Sequence, residues 1–177
     1  MQQVTVHDKT FKTFLTSEQI GAEVRRLGRE ITRDLKGKRP LFLSVLNGSF
    51  VFAADLVRQC DMDLEITFVK LASYQGTSSS GKITELIGLN ESLKDRHVLI
   101  VEDIIDSGKT MQNLLETLRA QQPASVQIAT LLLKPDALEV ELDIAYCGFE
   151  IPPEFVVGYG LDYDGLGRNL ADLYVLV

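Results

Sequence analysis

The sequence predicts an α/β fold: a mostly parallel twisted sheet with helices on both faces, plus a small hood built from the terminal segments. Three observations predict it. Strand-like and helix-like segments alternate along the chain, the pattern of βα units that builds a parallel sheet. The run Val98-Leu99-Ile100-Val101 is apolar without alternation, as a strand buried on both faces must be. Carboxylates follow that run directly, where open α/β sheets place their ligand crevice, outside the carboxyl ends of the strands. No internal repeat, low-complexity tract or interdomain linker interrupts the pattern, so residues 1–177 read as one domain. A chain of 177 residues can remove about 70% of its extended-chain surface from water, enough for a self-standing core.

Each element has its own signal. Ser17 is the expected N-cap of a first helix, whose Ile20, Val24, Leu27, Ile31 and Leu35 fall on one stripe and which Gly37 stops. Pro40 introduces a strand over 41–46, the turn Asn47-Gly48-Ser49 follows, and 50–59 reads as a second helix. A strand is expected over 64–71, then a polar stretch over 73–82 that is the longest candidate mobile loop. The apolar run at 98–101 leads through Asp106-Ser107-Gly108-Lys109-Thr110 into a helix reaching about Gln121. Residues 126–133 form a strand ending at Lys134-Pro135, shorter strands are expected near 143–147 and 155–159, and 173–177 closes the chain.

Bulk properties exclude several classes. The formal charge of −7, from 25 acidic and 18 basic residues, argues against a broad nucleic-acid surface. It does not exclude an anionic substrate: salt screens charges beyond about 8 Å, while an opposite charge at about 4 Å contributes about 4 kcal/mol at an effective dielectric near 20. No apolar run approaches the roughly 20 residues that cross a bilayer. MQQVTVHDKT has no basic segment followed by an apolar one, so no signal peptide is expected. Cys60 and Cys147, without CxxC spacing, read as buried thiols in a reducing cytoplasm, and His7 and His97 lie apart from any zinc-like cluster.

The densest chemistry lies in VLIVEDIIDSGKT, residues 98–110. Glu102 and Asp103 fall at the carboxyl end of the buried strand, and the amides of the Asp106–Thr110 turn, opening a helix, can converge on an anion. Acids beside an anion site are reconciled by a sugar and a divalent cation between them. Two carboxylates can accept vicinal ribose hydroxyls and support hydrated Mg²⁺, which completes its shell with substrate oxygens, while the phosphate sits on the turn. The plainer alternative is a buried strand followed by an N-capped helix with solvated acids, but capping needs one acid, not three. GKT here is no Walker A loop, because the position five residues before Gly108 is Asp103. GTSSSGKI, 76–83, has the glycines and Lys82 at the right offsets, yet Ile83 stands where a hydroxyl should meet Mg²⁺.

EDIIDSGKT closely resembles the phosphoribosyl-pyrophosphate (PRPP) signature of type I phosphoribosyltransferases, in the hypoxanthine-guanine branch, and the resemblance extends over nearly the whole chain. It implies that family's fold over 1–177, Mg²⁺ as cofactor, and transfer of a 5-phosphoribosyl group from PRPP to N9 of hypoxanthine or guanine in purine salvage. Glu102 and Asp103 would hold the ribose and a metal, Ser107, Gly108, Lys109 and Thr110 the 5-phosphate, and Asp106 would be the general base facing purine N7. VLNGSF resembles the pyrophosphate loop, with an unusual, often cis, Asn47-Gly48 peptide. Many members carry Lys or Arg where this chain has Asn47, so main-chain binding must suffice. Ser73-Tyr74 matches a dipeptide of the catalytic loop that closes over substrates. Lys134 would donate to the purine 6-oxo group. In EFVVGYGLDYDGLGRNL, Phe155 would stack on the base, Val156 would meet its edge through backbone groups, Asp162 would help hold a second Mg²⁺, and Arg168 would reach the pyrophosphate. Relatives are commonly dimers or tetramers, so a homo-oligomer is expected.

Taken singly, several of these residues also have bland readings: Asp106 as a helix N-cap, Lys134 as an exposed lysine, Phe155 as a core aromatic, Arg168 as a surface charge, Asn47-Gly48 as an ordinary turn. Within catalysis, xanthine or adenine remains open as acceptor. In another class stands a PRPP-sensing regulator that binds nucleic acid, which would want an added module or a basic face that the chain lacks, and last an acidic scaffold protein.

Overall fold

The computed structural model describes the backbone of residues 2–73 and 83–177 and the side chains of 2–71 and 88–177. Strands β1 (Gln3–Val6) and β2 (Lys9–Leu15) precede helix α1 (Ser17–Leu35), strand β3 (Leu41–Leu46), helix α2 (Phe50–Val57) and strand β4 (Glu65–Ser73). Strands β5 (Ile83–Ile87) and β6 (His97–Ile105), helix α3 (Lys109–Arg119), strand β7 (Ser125–Leu133), a single 3₁₀ turn (Pro135–Ala137), and strands β8 (Tyr146–Glu150), β9 (Val156–Val157) and β10 (Leu173–Leu176) complete the chain. The main sheet has the order β5-β4-β3-β6-β7-β8, parallel throughout except for the antiparallel edge strand β5. The mostly parallel α/β reading therefore holds.

Strand alternation divides two layers of core. Phe42, Leu99, Val101, Ala129 and Leu131 pack under α1 and α2 with Ile20, Val24, Leu27 and Ile31. Leu41, Leu43, Val45, Val98, Ile100 and Ile128 face the other way, onto Met111, Leu114 and Leu118 of α3. Apart from Ser44, the runs 41–46 of β3 and 98–101 of β6 are apolar without alternation because both of their faces are covered. Chain order leaves β3 through α2 to β4 on one side, while β6, on the other side of β3, leads through α3 to β7. That reversal makes the gap between the carboxyl ends of β3 and β6 the topological switch point, where such sheets bind ligands.

The hood is a separate four-stranded antiparallel sheet, β1-β2-β10-β9, with a small core of Val6, Phe11, Val157 and Tyr174. Its other side, through Tyr159, Leu173 and Val175, joins the α1/α2 core.

Several boundaries differ from the sequence reading, each for a physical reason. Thr16, not Ser17, caps α1: its side chain accepts from the Gln19 amide while Gln19 Oε1 accepts from the Thr16 amide at 2.9 Å, a capping box. Helix α2 ends at Val57 and α3 at Arg119, because their last turns tighten through Gln59 N–H donating to Leu56 and Gln121 N–H donating to Leu118. The signature strand runs on to Ile105, held by pairing with β7 as far as Leu133. The strand expected near 143–147 lies at Tyr146–Glu150, and the one expected over 155–159 shrinks to two residues because Gly158, Tyr159 and Gly160 all take positive φ. The hairpin β1-β2 and the edge strand β5 were not anticipated. Tyr74 and the Walker-like 76–82 lie outside the described residues, as does the Ser73 side chain.

Candidate active site

At the switch point two depressions adjoin. One, of about 270 Å³, is lined by Val45 and by Glu102, Asp103, Ile104, Ile105, Asp106, Ser107, Gly108, Thr110 and Met111. The other, of about 330 Å³, is lined by Gly48, Asp103, Ile104, Asp106, Lys134, Phe155, Val156, Leu161, Asp162 and Arg168. Asp103, Ile104 and Asp106 belong to both, so the acids of β6 form the shared wall. Residues scattered from position 45 to position 168 converge here.

The first depression is made by the end of β6 and the start of α3. Asp106 does not cap the helix. Gly108 holds that place, with φ +80°, and no side chain caps there, which leaves the first amides of α3 open. A Cβ at Gly108 would fall within 3.1 Å of Leu138, Val140 and Leu142 side chains, and Glu139 N–H donates to the Ser107 carbonyl at 3.0 Å. The segment after β7 thus braces the turn from behind. The Lys109 ammonium is paired with Glu139 and its side chain does not line the depression, so what Lys109 can offer an anion here is its amide.

Glu102 and Asp103 stand as a hydrogen-bonded pair. Burial raises the Glu102 pKa well above the ordinary carboxyl value, and the hydrogen bond to Asp103 and its negative charge raise it further. Asp103 is almost fully buried, and only glycine fits opposite: a Cβ at Gly48 would fall 1.7 Å from an Asp103 carboxylate oxygen. Gly48 belongs to the β3–α2 turn, where the cis peptide is Leu46-Asn47, one bond earlier than expected at Asn47-Gly48. Asn47 is exposed and its side chain lines neither depression. Beneath the turn, the fully buried Ser44 and Ser49 hydroxyls lie 2.7 Å apart and Ser49 donates on to the Val45 carbonyl.

In the second depression Lys134 Nζ donates to Asp106 Oδ2 at 2.7 Å. Register explains the pair: Ile105 and Leu133 are partners at the end of β6 and β7, so the next residues stand side by side, and Lys134 N–H donates to the Ile105 carbonyl. The lysine side chain is 10% exposed and the aspartate 59%, so the pair points out of the wall into the cleft. Phe155, 45% exposed, presents its ring to the depression and rests on Phe11 and Tyr163 at centroid distances of 6.3 and 5.8 Å. It is not a core aromatic.

Arg168 is not a loose surface charge either. It donates to the Gly160 carbonyl and pairs with Asp162 Oδ1, both at 2.7 Å. The second Asp162 oxygen accepts the Gly165 amide at 2.7 Å, so here the carboxylate orients Arg168, and a cation would compete with the guanidinium for it. Among the described residues no group of three or more His, Cys, Asp or Glu side chains converges as a metal cage.

The sequence reading missed the supports. Ile104 and Leu161 give the cleft its apolar walls. Tyr163, under Phe155, is held by the N-terminal hairpin: its hydroxyl donates to Asp8 at 2.9 Å and Lys9 Nζ lies 4.7 Å from its ring centroid. The aromatic spacing Phe11, Phe155, Tyr163 was visible, but not that two chain ends meet.

Comparison with known proteins agrees with this geometry. The family model described as phosphoribosyl transferase domain matches residues 11–164. The hypoxanthine-guanine phosphoribosyltransferase of Streptococcus pneumoniae is 44% identical over 166 residues, covering 93% of this chain and 92% of that protein. The hypoxanthine phosphoribosyltransferase of Buchnera aphidicola is 43% identical over 157 residues, covering 87% and 89%. A crystal structure of the Staphylococcus aureus hypoxanthine phosphoribosyltransferase superposes with a TM-score of 0.86 at 38% identity, covering 94% of this chain and 91% of that one. The chain belongs to the phosphoribosyltransferase family.

Proposed function

We propose that this protein transfers the 5-phosphoribosyl group of PRPP to N9 of hypoxanthine or guanine, releasing pyrophosphate and the nucleoside monophosphate. The observation that carries the reading is the shared wall: a helix start with open amides and a slot lined by Phe155, Val156 and Lys134 meet on Asp103 and Asp106. The relatives' names support the choice of 6-oxopurine acceptors.

The 5-phosphate sits on the amides of Ser107 to Thr110, where unpaired donors and the helix dipole favour an anion. Glu102 and Asp103 accept the ribose hydroxyls. This pair also suits Mg²⁺, since a cation would offset the repulsion between two adjacent carboxylates, and Mg²⁺ characteristically uses one or two carboxylates plus substrate phosphates. When bound, it would offset the charge of the departing diphosphate. The Asn47-Gly48 turn and Arg168 receive the diphosphate's other end, and Asp162 keeps Arg168 aimed.

The base enters between Phe155 and Lys134, with Val156 at its edge. An ammonium only donates, so Lys134 favours a 6-oxo over a 6-amino group. Drawing Lys134 onto that oxygen frees Asp106, which takes the proton from the imidazole ring as N9 attacks. The C1–oxygen bond to pyrophosphate breaks and the C1–N9 bond forms.

The whole of 1–177 acts as one unit, because the hood carries Phe155 and shares the α1/α2 core. Phe50, Ile66 and Phe68, each exposed, support assembly into a homo-oligomer. Two free cysteines and the lack, among the described residues, of a helix able to cross a membrane support a cytoplasmic enzyme. The test is incubation with Mg²⁺, PRPP and a panel of free bases. Inosine and guanosine monophosphates, with none from adenine or uracil, are expected; product from xanthine alone, or none, contradicts the assignment.

A further inference from the structure

Tyr159 is a buried group that the chemistry above does not use. It lies in the hood segment 158–160, is 7% exposed, and takes φ +45°, unusual for a side chain of its size. Its hydroxyl donates to Asp55 Oδ2 at 2.7 Å, across 104 residues, onto the outer part of α2. Burial and the Asp55 carboxylate push the phenol well above its ordinary pKa, so at neutral pH it remains a donor.

Each partner belongs to a segment that reaches the cleft at Gly48 or Arg168. Tyr159 N–H donates to the Leu170 carbonyl, and the following Gly160 accepts from Arg168 and gives its own amide to the Arg168 carbonyl. Gly160 also lies so close to the β3–α2 turn that a Cβ there would fall 2.2 Å from the Gly48 carbonyl oxygen. Asp55 belongs to the helix that this turn opens. One hydroxyl therefore ties together the two elements that carry Gly48 and Arg168.

We propose that Tyr159 and Asp55 are positioning residues for the diphosphate end: their hydrogen bond sets the gap between the Asn47-Gly48 turn and Arg168, and so controls PRPP affinity without touching substrate. The proposal rests on the PRPP reading above. A bond that only held the fold together would lower thermal stability and leave the two substrates' constants in their original ratio.

The test uses the full chain with Tyr159→Phe and Asp55→Ala, and Asp55→Asn as the conservative variant that keeps an acceptor. PRPP affinity is measured by calorimetry with Mg²⁺, and rates are measured with PRPP and hypoxanthine each varied. Losing one hydrogen bond to a charged group should raise Kd and KM for PRPP about three- to tenfold in Tyr159→Phe and Asp55→Ala, with hypoxanthine KM within about twofold. Asp55→Asn should stay near the parent, and the double variant should be no weaker than the weaker single one. Unchanged PRPP affinity, an equal rise in both KM values, or Asp55→Asn as weak as Asp55→Ala overturns the proposal. The two claims fail separately. A parent protein that neither binds PRPP nor uses hypoxanthine refutes the reading of the site, whereas a fully active parent matched by its variants refutes only the positioning role.

Discussion

At the scale of single residues, chemistry concentrates where β6 and β7 end. Asp106→Asn keeps the side chain's shape and removes its basicity. Turnover should fall by about 10² to 10⁴, the usual contribution of a general base, with PRPP affinity nearly unchanged. Single-turnover rates check this, and an unaltered rate removes Asp106 from the proton transfer. Lys134→Ala should raise the KM for hypoxanthine and leave that for PRPP in place, as steady-state kinetics with each substrate varied would show; equal loss for both would make Lys134 a structural lysine. The acids and the phosphate turn were legible because they are contiguous, Glu102 to Thr110. The Lys134–Asp106 pair was not, since it spans 28 residues and depends on the β6/β7 register. Nor was the partner of the Lys109 ammonium, Glu139, which lies thirty residues further along the chain.

At the scale of elements, the β3–α2 turn is the least tolerant piece. Gly48→Ala would drive a methyl group into the Asp103 carboxylate, so the turn or the acid must shift. We expect a loss of about 1 to 3 kcal/mol in stability, the usual cost of overpacking, together with weakened PRPP binding. Denaturant unfolding and calorimetry test both, and a variant that binds PRPP normally would show that the turn yields freely. Strands and helices with a buried face were readable from their apolar periodicity, as in α1 and β6. The hairpin β1-β2 was not, because its strands mix exposed Lys and Thr with few buried residues and bury only Val6 and Phe11 fully. Edge strand β5 was lost for a related reason: it follows the long polar stretch and pairs on one side only.

Across the whole molecule, topology brings the proposed phosphate and sugar sites, contiguous in sequence, together with the proposed base site, whose residues are not. The parallel order β4-β3-β6-β7-β8 brings three loop regions to one sheet edge, and the hood supplies the aromatic wall. That packing has an alkaline signature. Burial, with Asp34 nearby, pushes Tyr146 up to about 12, and burial also raises Tyr159 and Tyr174. Unfolded tyrosines lose their protons near pH 10 while these three keep theirs, so the folded state binds more protons and stability should fall as pH rises above about 10. Phenolate absorbance and unfolding midpoints followed together would show this, and five tyrosines titrating as one group would contradict it.

The central claim is that one molecule spans both depressions, and the crystal structure of the complex with inosine 5′-monophosphate tests it most directly. The account predicts the phosphate on the amides of 107–110, the ribose hydroxyls on Glu102 and Asp103, and the base against Phe155 with its 6-oxo oxygen on Lys134. A base lodged elsewhere, with Lys134 still bound to Asp106, would contradict it.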